Sequence, residues 1–155
     1  MKSLYYYEYP VGTVGITVEN GAVSHVFFGR EREMPGYATA ETPLIQKTAV
    51  QLAEYFCGKR KKFDLPLAPQ GTSFQQQVWK ILQTIAWGET RSYKDVATLI
   101  GKPQAARAVG MANHRNPLAI IIPCHRVIGK NGDITGYVDG PGTKLYLLNL
   151  ERKHA

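Results

Sequence analysis

A cysteine and a histidine stand side by side at the end of the longest apolar run in this 155-residue chain. Cys124 and His125 follow Pro123, which ends the run 118–122. We interpret that run as a buried strand that holds both side chains rigidly at its end. A free thiol has a pKa of about 8.5, so a nucleophilic cysteine needs a neighbouring base or positive charge. His125 and Arg126 can supply these.

The geometry of an extended chain limits how the histidine can serve the thiol. Successive side chains point to opposite faces, so His125 must reach the sulfur across a turn or through a bridging water. We therefore expect a relayed proton path. A histidine base also works better when an acceptor holds its second ring nitrogen. Glu151 is the candidate acceptor, on a final helix predicted over 143–153. The leucines expected to pack this helix on the core are Leu145, Leu148 and Leu150.

Other uses of these residues stay open on this evidence. A single Cys-His pair is weak evidence for catalysis, since a buried structural cysteine is the commoner case. A thiol hydrolase built on Cys124, His125 and Glu151 is a further alternative, in which an acyl-enzyme turns over. The chain has two cysteines, and no CxxC spacing joins Cys57 or Cys124 to a second thiol. This argues against a disulfide scaffold and a cysteine-rich zinc module.

The elements that position these residues fall into two predicted domains, 1–70 and 71–155. The first begins with an antiparallel meander and continues with one helix. The strands of the meander are 5–9, 15–18 and 23–28, with Asn20-Gly21 at a tight turn. The helix has Thr42 as N-cap and stops at Gly58. Two prolines make 64–70 an extended linker at the domain boundary.

The second domain is predicted to be mostly helical. Its first helix covers 73–88 and starts at a capping box begun by Ser73. A second helix is capped by Ser92 and stopped by Gly101, and a third covers 103–112. Two short helices joined by a tight turn have the outline of a helix-turn-helix, which also occurs as a plain packing unit.

Charge and side-chain size suggest a nucleic-acid partner for this second domain. The chain has a net charge of +7, of which 71–155, with 11 basic and 5 acidic residues, carries +6. Such a balance favours a polyanion. Small residues on the third helix let its backbone approach a narrow groove, and only Arg107 is both long and charged, which suits a side chain that probes the base stack. We expect the small residues Ala105, Ala106 and Gly110 to contact DNA, and Arg115 to contact phosphate. Tight helix packing is the alternative.

Five short blocks occur in order along the second domain: Ser92-Tyr93, 105–110, Asn116-Pro117, 123–127 (PCHRV) and Leu147-Leu148-x-x-Glu151. Together they resemble the O6-alkylguanine-DNA alkyltransferases, also called methylated-DNA–protein-cysteine methyltransferases. The resemblance runs from about Phe74 to Glu151. It implies an α+β fold, with a small ribonuclease-H-like α/β domain over 1–70. The domain over 71–155 is then mostly helical, with a helix-turn-helix and an active-site strand or loop.

The resemblance also implies roles for the catalytic residues. Cys124 is the methyl acceptor, His125 its water-mediated base and Glu151 the partner that orients the histidine. Asn116 is a hinge that bridges the helix-turn-helix to the active-site strand. Tyr93 donates a proton or hydrogen bond to the purine N3 and crowds the 3′ phosphate.

The remaining matched residues contact the DNA and the extruded base. Arg107 fills the space that the flipped nucleotide leaves, because the methyl carbon is hidden in a stacked duplex. The residues expected to line the base pocket, besides the backbone of the acceptor cysteine, are Val127, Tyr137 and Val138.

The function implied is DNA repair by direct reversal. The chain would take the methyl group of O6-methylguanine, and of O4-methylthymine, onto its own cysteine once and irreversibly, without a cofactor. The partner would be double-stranded DNA bound through its minor groove by a monomer. Some relatives hold zinc in the first domain, but only His25 and Cys57 are available here before residue 71, so no metal is expected. Lacking a signal peptide or a membrane span, the protein is expected in the cytoplasm.

A non-enzymatic protein that flips alkylated bases and flags them for other repair is the alternative function. Such proteins lack the acceptor cysteine, whereas Cys124 is present. A sequence-specific regulator would need several base-reading side chains on the third helix, where this chain has alanines and glycines.

Overall fold

A small sheet and one helix make up the first of two units, Met1–Gln70 and Gly71–Ala155. The computed structural model describes residues 1–134, 137 and 139–155. The first unit is built on strands and the second on helices, so the α+β class implied by the resemblance is confirmed. Val138, expected in the base pocket, lies outside the described residues.

The sheet of the first unit has the strand order β3-β2-β1-β4. Its strands are β1 (Lys2–Tyr9), β2 (Gly12–Glu19), β3 (Ala22–Phe28) and β4 (Ala38–Thr39). The first three are antiparallel neighbours, as predicted, and β4 pairs parallel with β1. Asn20 and Gly21 have φ angles of 52° and 77°, which is what a tight hairpin turn requires.

Helix α1 (Pro43–Phe56) packs on this sheet with its predicted ends. The Thr42 hydroxyl accepts a hydrogen bond from the Ile45 backbone N–H at 3.4 Å, and Gly58 reverses the chain with φ 75°. Buried Ile45, Ala49 and Leu52 share the face turned to the strands.

The segment 64–70 is extended and ends at the boundary between the units, and beyond the linker that was predicted it also pairs with the sheet. Leu67 forms a parallel bridge with Val23 at the outer edge of β3. The Val23 N–H donates to the Pro66 carbonyl at 2.8 Å, and the Ala68 N–H donates to the Val23 carbonyl at 2.9 Å. An edge strand leaves backbone groups open, and an extended proline-containing segment can satisfy them.

The second unit is mostly helical and contains one two-stranded parallel pairing. Its helices are α2 (Ser73–Leu82), α3 (Tyr93–Ile100), α4 (Ala106–His114) and α5 (Pro141–Lys153). Its strands are β5 (Arg91–Ser92) and β6 (Val127–Ile128), and 3-10 turns lie at Cys124–Arg126 and Lys130–Gly132. Among the described residues, no helix has the length and apolar character needed to span a membrane.

Helix α2 differs from its prediction at both ends. Its capping box is formed by Thr72 and Gln75, one residue earlier than expected, with hydrogen bonds of 3.1 and 2.9 Å. It stops at Leu82 rather than at Gly88. Thr84 explains the early stop, because both its hydroxyl and its N–H donate to the Ile81 carbonyl and form a turn.

The helix-turn-helix is present, and its second helix is shifted at both ends, covering Ala106–His114 rather than 103–112. Ser92 and Asp95 form the expected capping box of α3, and Gly101 ends that helix with φ 87°. Helix α4 starts at Ala106, three residues later than predicted, because the Ala105 N–H donates to the Lys102 carbonyl in a separate turn.

The run 118–122 is buried but is not the strand that we predicted. The Ile121 N–H donates to Ala119 O at 2.8 Å and the Ile122 N–H to Leu118 O at 2.9 Å, so the segment coils through turns. Ile120 has φ 71°, a conformation that is strained for a β-branched residue. An apolar run specifies burial, and period alone does not separate a strand from a buried loop.

Helix α5 starts two residues before its predicted start at 143, and only one of its three predicted core leucines, Leu148, is buried. Leu147 and Leu148 are buried, whereas Leu145 is 45% exposed and Leu150 is half-buried. Helical periodicity places Lys144, at i−3 from Leu147, on the same buried stripe.

Candidate functional site

The candidate nucleophile lies in a tight turn at the end of the buried 118–122 segment. Cys124 begins the 3-10 turn, is 2% exposed and donates its N–H to the Ile122 carbonyl at 2.7 Å. Its own carbonyl accepts from the Val127 N–H, which closes the turn. His125 follows within this turn and is fully buried.

A buried carboxylate joins the histidine and the arginine of the turn. Glu151 Oε2 is 2.5 Å from Nε2 of His125, and Glu151 Oε1 accepts from Nε of Arg126 at 2.8 Å. Arg126 Nη2 reaches the same carboxylate at 3.1 Å, and its Nη1 donates to the Ile85 carbonyl at 2.6 Å. The network therefore ties the turn to α5 and to the segment after α2. Sequence reasoning missed this use of Arg126, although a buried arginine requires a carboxylate partner.

The pKa values of Glu151 and His125 are both lowered. Burial alone would raise the pKa of Glu151, but its hydrogen bonds and charge interactions with His125 and Arg126 lower it to about 2. Burial lowers the pKa of His125, against the opposing pull of Glu151. At neutral pH the imidazole is therefore uncharged and donates its Nε2 proton to an ionised Glu151. The lone pair of that tautomer is on Nδ1.

The thiol is protonated at rest, and three neighbours favour its anion. Burial raises the pKa of Cys124, while hydrogen bonds from Asn116 and Tyr137 and the charge of Lys144 lower it. Lys144 is buried, and its Nζ donates to the Val127 carbonyl at 2.5 Å. Two hydrogen-bond donors and one positive charge thus favour the anion of this sulfur atom.

Lys144 also connects the thiol to two tyrosines. Its Nζ lies 5.9 Å from the ring centre of Tyr93 and 6.0 Å from that of Tyr137. Tyr93 is the first residue of α3, and partial burial raises its pKa, so it keeps its O–H proton. Sequence reasoning missed Lys144. Its spacing from Leu147, Leu148 and Glu151 could have placed it on the buried stripe of α5.

Two asparagines at the end of α4 hold the backbone around the thiol. Nδ2 of Asn116 donates to the carbonyls of Ile122 at 2.7 Å and Leu118 at 3.3 Å. Its Oδ1 accepts from the Leu118 N–H at 3.0 Å. Asn113, which the sequence analysis did not single out, donates from Nδ2 to the Cys124 carbonyl at 3.2 Å.

The residues expected on DNA lie on and after α4. Arg107 and Arg115 are exposed, while the small residues Ala105, Ala106 and Gly110 are half-buried. A Cβ on Gly110 would lie 3.8 Å from the Tyr93 ring, so α4 passes close to the tyrosine at the start of α3. Trp79 anchors α4 by donating from Nε1 to the Ala112 carbonyl at 2.8 Å.

The structure brings Cys124, His125, Glu151, Asn116 and Tyr137 into one network, with Tyr93 beside Lys144. Val127 contributes its carbonyl to Lys144. In the described part of the chain no group of three or more His, Cys, Asp or Glu residues could hold a metal ion.

Comparisons with known proteins match both units of the chain to one family. Residues 73–153 match the family described as 6-O-methylguanine DNA methyltransferase, DNA binding domain, and residues 4–69 match its ribonuclease-like domain. The methylated-DNA–protein-cysteine methyltransferase of Methanosarcina barkeri is 49% identical over 150 residues, covering 95% of each chain. The constitutive enzyme of that name from Bacillus subtilis is 46% identical, covering 94% of this chain and 92% of that protein. The crystal structure of Mycobacterium tuberculosis OGT in complex with DNA is similar with a TM-score of 0.90 at 42% identity, covering 99% of this chain and 94% of that one.

Proposed function

The chain belongs to the 6-O-methylguanine DNA methyltransferase family, and on that premise we propose that it moves the methyl group of O6-methylguanine in DNA to Cys124, once per molecule. The observation that carries this assignment is the buried network in which Glu151 holds His125 beside Cys124, with 2.5 Å between His125 Nε2 and the carboxylate. A buried cysteine that only packs would not need an ionised carboxylate, a neutral histidine and a buried lysine around it.

The reaction begins with activation of the thiol. The Cys124 proton passes through a bridging water to the lone pair on Nδ1 of His125, and the imidazolium that forms is stabilised by Glu151. Because the pKa of Glu151 is about 2, that carboxylate is already ionised. Asn116 and the charge of Lys144 lower the pKa of the thiol and so favour its anion.

Transfer of the methyl group follows as a displacement at carbon. The sulfur anion forms a bond to the methyl carbon, the bond from that carbon to O6 breaks, and its electron pair stays on the guanine. Guanine leaves poorly as an anion. The Tyr93 O–H, whose pKa is raised by burial, therefore donates to N3 of the purine and stabilises the developing charge. The product is an S-methyl thioether, which this site has no chemistry to cleave, so each chain reacts once.

Access to the methyl carbon requires that the base leave the duplex. We propose that α4 enters the minor groove, where the small residues at its start permit close approach. The exposed side chain of Arg107 then occupies the space that the flipped base leaves in the stack, and Arg115 contacts phosphate. A flipped base would lie among Tyr93, Val127 and Tyr137. We expect O6-alkylguanine to be the main lesion, O4-methylthymine a second substrate, the ribonuclease-H-like domain to span 1–70, and a monomer to bind DNA.

Intact-protein mass spectrometry tests the proposed reaction. After incubation with excess duplex containing one O6-methylguanine, we expect a mass gain of one methylene that saturates at one per chain. Peptide mapping should locate it on Cys124 and leave Cys57 unmodified. Lesion binding without a mass gain would instead support a protein that only flags lesions. Repeated turnover of an ester would support a thiol hydrolase.

Arg107→Ala should separate base flipping from chemistry. The variant loses the side chain that replaces the flipped base, so we expect its repair rate in duplex DNA to fall by at least about tenfold, the effect of losing about 1.4 kcal/mol. Its reaction with free O6-benzylguanine should remain within about twofold of the unmodified chain, because no duplex is opened. Single-turnover rates on the two substrates make the comparison, and Arg152→Ala, exposed on α5, is the matched control. An equal loss on both substrates would assign Arg107 to the chemistry or to the fold.

A further inference from the structure

The backbone of the acceptor cysteine is held on both sides by asparagines. Asn113 Nδ2 donates to the Cys124 carbonyl at 3.2 Å. On the other side, the Cys124 N–H donates to the Ile122 carbonyl, which also accepts from Asn116 Nδ2, each at 2.7 Å. The peptide group after the Cys124 Cα is therefore held directly by Asn113 on α4, and the one before it is held through the Ile122 carbonyl that Asn116 also contacts.

The hydrogen bond from Asn113 is not needed to satisfy the carbonyl that it contacts. Cys124 O already accepts from the Val127 N–H within the 3-10 turn. The Asn113 side chain is also costly to keep, because the residue is 4% exposed and its Oδ1 accepts no hydrogen bond from any residue that the structure describes. An unsatisfied buried acceptor costs about 1–3 kcal/mol. Stability alone would favour an apolar side chain of this size at position 113.

The location of Asn113 suggests a function that offsets this cost in stability. Helix α4 is the element proposed to bind the duplex, so the lesion's methyl carbon is positioned relative to α4. Displacement at that carbon requires the sulfur to approach it to about 3–3.5 Å in line with the breaking bond. A nucleophile attached directly to the same helix keeps that distance when the helix shifts on its DNA.

We propose that Asn113 is a positioning residue for methyl transfer: with Asn116 it forms a two-point attachment of the Cys124 backbone to α4, which sets the sulfur relative to the bound lesion. This inference rests on the proposed function. Asn113 itself contacts neither the sulfur nor the base. It acts through the carbonyl of Cys124.

Asn113→Leu is the sharpest test, because leucine has a similar volume and removes both the donor and the unsatisfied oxygen. We expect the maximal single-turnover rate of methyl transfer at saturating lesion duplex to fall about tenfold to a hundredfold, the effect of a misplacement of about 1 Å. The dissociation constant for the duplex should stay within about twofold. The melting temperature should be equal or higher, since the buried oxygen is gone and the Cys124 carbonyl keeps its bond from Val127.

A purely structural asparagine gives the opposite pattern, and that pattern overturns the proposal: a lower melting temperature with a maximal rate within about twofold of the unmodified chain. Asn149→Leu, at an exposed position of α5, controls for the added leucine. If Asn113→Leu does not fold, Asn113→Ser decides by the same rate criterion, because its hydroxyl is too short to reach the Cys124 carbonyl. The unmodified chain must show the mass gain on Cys124. If it does not, the proposed function fails, whereas normal transfer by the variant defeats only the role of Asn113.

Discussion

A Glu151→Gln chain is expected to transfer methyl groups about 10³- to 10⁴-fold more slowly, the scale for loss of a carboxylate that orients a catalytic histidine. We also expect the free energy of unfolding to fall by about 3–5 kcal/mol, as when one partner of a buried ion pair is removed. Glu151 accepts hydrogen bonds from both His125 and Arg126 at a site only 1% exposed. A glutamine amide offers one acceptor oxygen for these donors and turns an N–H group toward the rest.

Both losses have the same electrostatic origin. The carboxylate neutralises the guanidinium of Arg126 and, in the proposed mechanism, stabilises the imidazolium that forms when His125 takes the thiol proton. Without it, a buried positive charge has no counter-charge and the proton transfer becomes unfavourable. Single-turnover kinetics and urea denaturation measure the two effects. Glu89→Gln, at an exposed pair with Arg91, is the control and should change the unfolding free energy by less than about 1 kcal/mol. A Glu151→Gln chain with normal transfer would remove the carboxylate from the proposed mechanism.

Cys124→Ala is expected to lose methyl transfer entirely while keeping its affinity for lesion duplex within about threefold, because the DNA contacts proposed for Arg107 and Arg115 do not involve the thiol. Cys57→Ala offers a matched control, since the chain has two cysteines. Cys57 is exposed and Cys124 is buried, so accessibility alone would favour Cys57 as the reactive thiol.

We expect the opposite order, because hydrogen bonds from Asn116 and Tyr137 and the charge of Lys144 favour the Cys124 anion against the effect of burial, which raises the pKa of this thiol. Intact mass after incubation with lesion duplex, together with a duplex-binding titration, tests both variants. Methylation of Cys57, or a mass gain in Cys124→Ala, would place the acceptor elsewhere.

The sequence predicted those helix caps and turns that are stabilised by residues close to them in the chain. The caps at Thr42 and Ser92 and the turn at Asn20-Gly21 were predictable because each is decided within four residues of chain. The start of α4 was not, since Pro103 favours a helix start but the turn from Lys102 to Ala105 forms instead. The preference of a proline for the start of a helix is therefore overridden where neighbouring backbone groups form a different hydrogen bond.

The candidate site was only partly predictable. The run 118–122 signals burial, but its coiled path depends on hydrogen bonds that the Asn116 side chain donates to Ile122 and accepts from Leu118, which no period in the sequence reveals. Arg126 and Lys144 gain their places from tertiary contacts, and an isolated arginine or lysine in a sequence is more often exposed. Tertiary pairing therefore limits sequence reasoning most at the site itself.

The contacts of Glu151 also determine when during biosynthesis the network beside Cys124 can form. The carboxylate lies 26 positions after His125 and comes from a separate helix. At a synthesis rate of about 5–20 residues per second, a nascent chain carries Cys124 for a second or more before Glu151 is added. During that interval the thiol lacks its oriented base. If Cys124 is the acceptor proposed above, the network that activates it is complete only once the final helix has been synthesised.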